Sequence, residues 1–490
     1  MPTEKVEYEV EKLPRVVCDR HPEWVELYNA AWQMGFANVE YVARPGWKPQ
    51  LTCMPGMMRL WQWDSCFMTL FARYSNGQLP GMNNLDNLYR LQRSDGFMSM
   101  AYDLGNEQPA FGERINPPLM AWVEWEYYRA TGDDSRFEQA LPRLVRFFDW
   151  VKANRRRCSG LYWFEDSGSS GMDNSPRSGY LAQDLRGSDV CFIDLAAQQA
   201  LAAAHLGKMA RHLGQFETAE RFEREHSELA ALIEERHWCE RAGIYFDLFG
   251  RERATSRHNF VNHKTLAAFW PIVAGVARED RVGRLIEHLL DPREFWRPHP
   301  LPTLSADDPN YDPLGGYWLG GVWAPTNYMV AAGLKRHGKH EVARQIAVRH
   351  LEAMTAVMGE ETFASIWECY SPEYTRPATN GYGVLCRPCF VGWTGLGPIA
   401  MLIEHVLGFE FEAADNVVRW VIGTPGRHGI EHVRFNGRTV SLVCDGPDPS
   451  SGRTKVVVRA SDEINVAVSL LGRFIEHKAT LPAGEHELHV

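Results

Sequence analysis

The sequence lacks the features that identify several common protein classes. Its 490 residues contain no apolar run of about 18 residues, so no membrane span or membrane partner is expected. The opening Met1-Pro2-Thr3 stretch is not followed by the apolar segment of a secretory signal, and the ten cysteines have no framework spacing. We therefore predict a protein of the reducing cytoplasm.

Signatures of metal, nucleotide and serine-hydrolase chemistry are also missing. The sequence has no Walker loop, no His-Glu-x-x-His and no Gly-x-Ser-x-Gly. Cys386 and Cys389 form a Cys-x-x-Cys pair without a second pair or suitably spaced histidines, which argues against a zinc site. We assign no metal ligand and no cofactor, and whether a structural metal ion is bound stays open. A formal net charge of -10 does not suggest a nucleic-acid partner.

Most of the chain is predicted to be helical. Leu141, Leu144 and Phe148 recur at the spacing of an amphipathic helix, and Gly132 and Gly338 are typical of tight turns between helices. Paired in six hairpins, twelve helices predict a mainly α fold, an (α/α)6 barrel over residues 1–410. The helices are expected near residues 22–38, 61–75, 84–94, 116–131, 135–154, 189–213, 215–238, 260–275, 278–290, 321–337, 339–358 and 391–408.

The pattern changes after about residue 410. Asn436-Gly437 stands between two runs of β-forming residues, which is a strong hairpin signal, and further short β-forming runs follow. We predict that residues 411–490 form a small antiparallel β domain, a sheet or sandwich. This segment has no convergent acid pair, so it is expected to pack against the helical domain.

Four long connections interrupt the helices, at residues 95–115, 155–188, 292–320 and 359–390. Long loops in compact domains are usually functional or disordered, and these are rich in Trp, Tyr, Gly, Pro and Asp. If the helices alternate in direction, the loops collect at one end of the barrel. They therefore predict a single cleft.

Two acids in these loops are candidates for catalysis. Asp173 stands between the helix breakers Gly171 and Pro176, although a solvated turn is the alternative for this fragment alone. Glu368 is flanked by aromatic residues that could desolvate its carboxyl, with Glu361 and Glu373 among its competitors. Two carboxylates over one cleft are what glycoside hydrolysis needs, one to protonate the leaving oxygen and one to act on water or sugar.

Two further segments combine aromatic and polar groups. Trp63 and Asp64 open a predicted helix, where Asp64 either caps the helix or binds sugar hydroxyls beside a stacking ring. Arg114 and Asn116 precede two prolines that suit a first helical turn, so they either cap that helix or point into the cleft.

Five segments together resemble the inverting α-glycosidases of glycoside hydrolase families 63 and 37, the mannosylglycerate hydrolase, processing α-glucosidase and trehalase group. The likeness covers residues 20–408 in the family's order, and the loop around Asp173 is its most specific part. The segments are Trp63-Asp64-Ser65-Cys66-Phe67, Arg114-Ile115-Asn116-Pro117-Pro118, Gly171-Met172-Asp173-Asn174-Ser175-Pro176-Arg177, the stretch from Tyr317 to Tyr328, and Trp367-Glu368-Cys369-Tyr370.

The resemblance implies an (α/α)6 barrel and an inverting exo-α-glycosidase, with Asp173 as the general acid and Glu368 as the general base. Asn116 in place of Gln and Leu319 in place of Arg depart from the family pattern, and the β-rich tail is no standard part of trehalase. The partner would be a small carbohydrate. The residues expected to bind it are Trp63, Asp64, Arg114, Asn116, Arg177, Trp318, Trp323 and Tyr370.

Two other hypotheses stay open at this point. One is a different carbohydrate enzyme on the same barrel, an epimerase or a lyase, for which a histidine pair facing Asp173 would be the sign. The other is an inactive sugar-binding protein that has kept the aromatic cleft. The sequence names neither the sugar and its linkage nor the oligomeric state.

Overall fold

The computed structural model describes residues 8–178, 189–250, 260–446, 453–473 and 475–490; part of the predicted loop 155–188 lies outside these residues. A 3-10 turn, Trp393–Leu396, leads into a π-helix, Gly397–Val406. The α-helices in chain order are α1 (Pro22–Ala37), α2 (Gln62–Ala72), α3 (Gly81–Arg90), α4 (Met120–Thr131), α5 (Phe137–Arg155), α6 (Ile193–His212), α7 (Phe216–Arg236), α8 (Trp270–Ala274), α9 (Glu279–Leu290), α10 (Ala324–Arg336) and α11 (His340–Gly359).

Six of these segments pack in a closed ring. Along the ring, α2 contacts α4, α4 contacts α6, α6 contacts α8 and α8 contacts α10, and the π-helix closes it by contacting both α10 and α2. Other helices pack outside, with α3 on α2, α5 and α7 on α6, and α11 on α10. Every second helix of the chain therefore lies in the ring.

Residue composition explains which helix lies inside. The Ala-rich α6 is buried on nearly all sides, whereas α7 buries only a narrow stripe that includes Phe222, Leu229 and Ile233. A helix that is apolar all round needs protein on every side, while an amphipathic helix needs it on one side only. The hairpin of α6 and α7 therefore places α6 in the ring and α7 on the surface.

The helix predicted near residues 260–275 is much shorter in the structure. Phe260–Val261 is a strand, a 3-10 turn covers Leu266–Phe269, and α8 itself has five residues. Pro271 suits only the first turn of a helix, and Gly275, with a φ of 67°, ends it. The apolar run that predicted a longer helix is buried, but most of it is not α-helical.

The strands form four small sheets of two or three strands and two larger sheets, which consist mainly of residues after 408. In chain order they are β1 (Arg15–Cys18), β2 (Val39–Glu40), β3 (Gln50–Leu51), β4 (Arg59–Trp61), β5 (Ala101–Asp103), β6 (Val190–Cys191), β7 (Trp238–Cys239), β8 (Ile244–Tyr245), β9 (Asp247–Phe249), β10 (Phe260–Val261), β11 (Phe409–Glu412), β12 (Val417–Ile422), β13 (His428–Phe435), β14 (Arg438–Cys444), β15 (Lys455–Ala460), β16 (Ile464–Leu470), β17 (Glu476–Leu481) and β18 (Gly484–His489).

The two larger sheets differ from the predicted antiparallel β domain in two ways. The five-stranded sheet has the order β1-β13-β14-β15-β18, so a strand from the N-terminus joins it. In the four-stranded sheet, β11-β12-β16-β17, the pairing of β12 with β16 is parallel. Because β13, β14 and β15 belong to the other sheet, the chain crosses over before β16 and returns in the direction of β12. The predicted Asn436-Gly437 turn does join β13 to β14.

The sheets and the helices share one continuous apolar core. At their junction β11 packs against α4 and the π-helix, and Trp420 of β12 stacks on Phe409, with 4.5 Å between ring centroids. No helix among the described residues combines the length and the apolar character that crossing a membrane requires.

Candidate active site

The predicted site residues gather at one end of the ring, where the ring helices begin. Trp63 and Asp64 lie in the first turn of α2, Asn116 precedes α4, and Trp323 is the N-terminal cap of α10. Helix N-termini carry a partial positive charge, which favours anionic and oxygen-rich groups nearby. The segments carrying Asp173 and Glu368 lie over the same end.

The Asp173 loop is held in one conformation by close packing and by hydrogen bonds of the Asn174 side chain. Gly171 has a φ of 83°, and a Cβ atom at this position would overlap the indole of Trp63. The side-chain Nδ2 of Asn174 donates to the carbonyl of Gly316 at 2.9 Å, and its Oδ1 accepts the backbone N–H of Trp318 at 2.9 Å. The loop therefore rests on α2 from one side and is tied to the segment before α10 from the other.

Arg177 is placed differently from its expected role in substrate binding. Its side chain is fully buried and makes two-pronged ion pairs with Asp194 at 2.7 and 2.8 Å and with Asp247 at 2.6 and 2.8 Å. Its guanidinium also lies over the Phe192 ring. Since both carboxylates occupy its nitrogens, Arg177 supports the Asp173 loop from beneath and has no donor left for a sugar.

Arg114 and Asn116 approach the same loop from the side. Arg114 forms an ion pair with Asp166 at 2.8 Å, and Asp166 in turn accepts the N–H and hydroxyl of Ser169. The Asn116 amide donates to the Ser169 carbonyl at 3.1 Å, and its side chain is buried. Arg114 keeps a side chain that is 43% exposed and so can still reach a ligand, whereas Asn116 acts on the loop.

Glu368 lies beneath a hydroxyl and a backbone amide. Its Oε1 accepts the Tyr317 hydroxyl at 3.0 Å, and its Oε2 accepts the Arg387 N–H at 3.4 Å. Its backbone N–H donates to the Arg387 carbonyl at 2.9 Å. Glu368 is 4% exposed, while its competitor Glu361 is exposed to solvent and Glu373 is bound to Arg297 and Tyr311. Of these acids, only Glu368 faces the site.

Four tryptophans form one cluster under the carboxyls. Trp318 stacks on Trp323 with 4.3 Å between ring centroids and 8° between planes, and Trp63 and Trp393 meet this stack at its sides. Trp318 and Trp323 are fully buried and Trp63 is 5% exposed; Tyr370, also buried, lies outside this cluster, and its hydroxyl accepts the Trp367 N–H at 3.1 Å. Trp318, Trp323 and Tyr370 are all predicted from the sequence to bind substrate, but their buried positions leave almost no surface for a sugar, and Tyr370 instead supports the Glu368 loop.

The carboxyls of the site have raised pKa values. Burial, followed by the nearby charges of Asp64 and Glu368, raises the pKa of Asp173 to about 7. Solvent reaches Asp173 from the cleft, but protein surrounds its carboxyl on the other sides. Burial also raises the pKa of Asp64 to about 7, although a thiol hydrogen bond from Cys53 at 3.0 Å works against this shift.

Glu368 differs from the other two acids in its partners. Burial raises its pKa, but the Tyr317 hydroxyl and the positive charge of Arg387 both act in the opposite direction. The charged groups that dominate the pKa of Asp173 are all carboxylates, with no cation among them. Of the two, Glu368 is therefore the easier carboxyl to ionise and Asp173 the easier one to keep protonated.

Sequence reasoning missed Tyr317, Arg387 and Cys53. Tyr317 belongs to the segment quoted for its family likeness, and its φ of 67° is unusual for a residue other than glycine, so the chain holds it in place against Glu368. No sequence signal marked Arg387 or Cys53, since each acts through a contact between distant segments. In the described part of the chain, no group of three or more His, Cys, Asp or Glu side chains is arranged to hold a metal ion.

Comparison with known proteins identifies the family. The family model of the mannosylglycerate hydrolase MGH1-like glycoside hydrolase domain matches residues 57–382. This range contains all ten predicted site residues, from Trp63 to Tyr370. The resemblance found from the sequence motifs is thereby confirmed.

Individual relatives share less than 30% sequence identity with this chain, and those with a named activity are glycosidases. An uncharacterized protein of Borreliella burgdorferi is 27% identical over 86% of this chain and 88% of its own length. A probable mannosyl-oligosaccharide glucosidase of Schizosaccharomyces pombe is 24% identical over 63% of this chain, a match that spans 36% of that protein. A crystal structure of a mannosylglycerate hydrolase from Thermus thermophilus, in complex with glucose, shares the fold with a TM-score of 0.61 and 22% identity, covering 76% of this chain and 99% of that one.

Proposed function

We propose, on the premise that this chain belongs to the mannosylglycerate hydrolase MGH1-like glycoside hydrolase family, that it is an inverting exo-α-glycosidase acting on a small α-linked saccharide or glycoside. Hydrolysis of a glycosidic bond follows from the family. The further detail rests on one observation: two carboxyls in one site, Asp173 and Glu368, have opposite electrostatic partners.

Asp173 is proposed as the general acid. A general acid must carry a proton when the substrate binds, which requires a pKa near the working pH. Burial and neighbouring carboxylates supply such a pKa, about 7, and the fixed loop keeps the carboxyl in position. Asp173 then donates its proton to the leaving oxygen as the glycosidic bond breaks.

Glu368 is proposed as the general base. The Tyr317 hydroxyl and the Arg387 N–H hold its two oxygens, and both hydrogen bonds favour the ionised form. The carboxylate then removes a proton from water as that water attacks the anomeric carbon. In an inverting enzyme the two carboxyls stand about 6.5–9.5 Å apart to leave room for the water, and a retaining pair stands nearer to about 5 Å.

The groups proposed to hold the sugar are those that border the site. The carboxyl of Asp64 offers acceptors for hydroxyls, and Arg114 is the partly exposed cation, whereas Trp318 and Trp323 are fully buried and pack with Trp63 behind these groups. A panel of candidate substrates decides which sugar and which linkage the site accepts.

We also infer that the closed ring is the inner ring of an (α/α)6 barrel spanning residues 1–410, with residues 411–490 as a packing module. The alternation of ring and outer helices along the chain supports the barrel. The N-terminal strand β1 in the five-stranded sheet supports a close association of the two parts. A cytoplasmic location stays a prediction.

The test combines substrate, stereochemistry and two variants. A panel of α-linked disaccharides and glycosyl-glycerates is hydrolysed, and NMR follows the anomer that is released first. We expect a β-anomer from an α-linked substrate, and no turnover by Asp173→Asn or Glu368→Gln. The control is Glu361→Gln, an exposed acid near Glu368, which should keep full activity.

Other results would replace the proposal. Release of the α-anomer first would indicate retention, and an active Asp173→Asn/Glu368→Gln double variant would exclude the proposed pair. An unsaturated or epimerised product would point to the lyase or epimerase alternative. Tight sugar binding without release of reducing sugar would point to an inactive binding protein.

A further inference from the structure

Two thiols lie directly behind the proposed base. The Sγ atoms of Cys369 and Cys386 are 3.2 Å apart, and both side chains are buried. Cys369 follows Glu368 in the chain and Cys386 precedes Arg387, so the thiols are adjacent to the two residues that contact each other at the site. All ten cysteines of the protein are free thiols.

The surrounding backbone already holds the two cysteines side by side. The N–H of Cys386 donates to the carbonyl of Ala378 at 3.0 Å, and the N–H of Ala378 donates to the carbonyl of Cys369 at 3.1 Å. A disulfide has an S–S bond of about 2.05 Å, so the sulfurs need to approach each other by only about 1 Å. Small shifts of the two segments are enough to form the bond.

We propose that Cys369 and Cys386 form a reversible disulfide in the presence of a hydroperoxide, and that this bond slows hydrolysis by displacing Glu368. The disulfide itself is independent of the proposed function; its effect on rate rests on Glu368 being the base. Among the described residues, no other pair of thiols lies in contact beside a carboxyl of the site.

The reaction balances with the peroxide as oxidant. The Cys386 sulfur attacks one peroxide oxygen, the O–O bond breaks, and Cys386 becomes a sulfenic acid while the first water (or alcohol) leaves. The Cys369 sulfur then attacks the Cys386 sulfur, the S–S bond forms, and hydroxide leaves with the Cys369 proton as water. Two thiols are oxidised by two electrons in total, and the peroxide is reduced by two.

Burial sets the speed of this reaction. Burial, the Cys386 thiol and the nearby Glu368 hold the pKa of Cys369 well above its ordinary value, so this thiol stays protonated. Thiolates, not thiols, are the reactive nucleophiles. The pair is therefore expected to respond to sustained exposure to peroxide and not to brief pulses.

The consequence for Glu368 follows from the same hydrogen bonds. The N–H of Glu368 donates to the carbonyl of Arg387 at 2.9 Å, and the N–H of Arg387 donates to the Glu368 carboxylate at 3.4 Å. Because Cys369 follows Glu368 and Cys386 precedes Arg387, forming the disulfide moves both Glu368 and Arg387. A displacement of about 1 Å at a reacting group can cost about 100-fold in rate.

The experiment uses the whole protein and hydrogen peroxide. Oxidised protein is alkylated, digested and analysed by mass spectrometry for a Cys369–Cys386 cross-linked peptide, and hydrolysis is measured before and after treatment with dithiothreitol. We expect the cross-link, a fall in kcat of at least tenfold, and recovery on reduction. Cys386→Ser should resist the loss, and Cys389→Ser, an exposed cysteine three residues away, should behave like the parent protein.

Three results would overturn the inference. They are the absence of the cross-link after prolonged oxidation, a cross-link that leaves kcat unchanged, and an equal loss of activity in Cys386→Ser. If Cys386→Ser folds poorly, Cys369→Ser repeats the test from the other side. If the reduced protein hydrolyses no glycoside at all, the proposed function fails, while the mass spectrum still shows whether the disulfide forms.

Discussion

The two ends of the helical ring place carboxyls in opposite electrostatic surroundings. At the cleft end, burial raises the pKa of Asp64 and of Asp173 to about 7. At the other end, burial also acts on Glu126, but the charges of Arg129 and Arg73 outweigh it and lower the pKa to about 2. Asp173 is open to solvent on one side, but Asp64 and Glu126 are both largely buried, so the cations beside Glu126 account for the opposite shift of its pKa.

The helix α2 connects the two environments. Asp64 lies in its first turn, and Arg73 follows its last residue. Arg73 is paired with Glu404 at 2.6 Å and with Glu126 at 3.2 Å, and Arg129 adds bonds to Glu126 and Glu410. These groups line a cavity of about 590 Å³ whose arginines and glutamates neutralise one another. One end of the ring thus pairs its buried carboxylates with cations, and the other leaves Asp64 and Asp173 without a cationic partner.

Removing an unpaired carboxyl should cost activity and not stability. We expect Asp173→Asn to lower kcat by about 10²–10⁴-fold, because the proton donor is lost. The melting temperature should stay the same or rise, because a group repelled by neighbouring carboxylates is removed. Steady-state kinetics and thermal melting on the same preparation test both parts. A large loss of stability would mean that Asp173 is a structural residue.

Removing a carboxyl that is paired with cations should lower stability and leave activity unchanged. Glu126→Gln removes one charged partner from the buried Arg73 and from the half-buried Arg129, which keep Glu404 and Glu410, so we expect a loss of about 1.5–3 kcal/mol in unfolding free energy. The control is the exposed Lys12–Glu9 pair, where Glu9→Gln should change it by about 1 kcal/mol or less. Activity per folded molecule should be kept in both variants, and a loss in Glu126→Gln would show that this end also takes part in function.

The two ends should also respond oppositely to pH. The pKa of Asp64 in the folded protein is about 7, above its ordinary value of 3.8. Its contribution to the free energy of unfolding is therefore fully present below pH 3.8 and is lost as pH rises through about 7. The folded pKa of Glu126, about 2, lies below 4.5, so its contribution is present above 4.5 and lost as pH falls towards 2. Asp64→Asn should remove a pH-dependent difference on the order of 4 kcal/mol, measured by denaturant unfolding between pH 4 and 8. An unchanged pH profile in this variant would contradict the raised pKa.

The close packing at the cleft end can be tested at one glycine. Gly171→Ala forces a Cβ atom into the Trp63 indole, so the Asp173 loop must move, and we expect about a 100-fold loss in kcat/KM. Gly77 is a matched control because its φ is also 83° but nothing lies within 4 Å of the point where a Cβ atom would stand. Gly77→Ala carries the same backbone strain and should keep its activity. Equal losses would mean that strain, and not the Trp63 contact, matters.

The smallest effect is expected at Tyr317, which favours ionised Glu368. Tyr317→Phe removes the hydroxyl that donates to Oε1, so the pKa of Glu368 should rise further. The acidic limb of the kcat/KM profile should move up by about one pH unit. The Tyr74→Phe variant removes a hydroxyl from Glu404 at the other end and should leave the profile unchanged. A profile that does not move in Tyr317→Phe would argue against Glu368 as the base.

Much of the fold could be predicted from local pattern. The spacing of apolar residues located the helices to within a few residues for most of the chain, and the Ala-rich α6 was distinguishable from the amphipathic α7. Local pattern did not predict the features that depend on contacts between distant segments. The run that forms α8 is buried whether or not it is helical, and the parallel pairing of β12 with β16 depends on which strands the other sheet takes.

The sequence by itself determined the family, the chemical types at the site and the two candidate acids, because these are properties of short motifs whose residues are neighbours in the chain. Tertiary structure alone decided which side chains are open and which are already occupied. Arg177 stands in the most specific motif, yet Asp194 and Asp247 take its donors. The pKa values of Asp173 and Glu126 shift in opposite directions, because Asp64 and Glu368 are the charged groups near the first, whereas Arg129 and Arg73 from other helices lie near the second. A carboxyl's charge depends on such long-range neighbours, and no local pattern contains them.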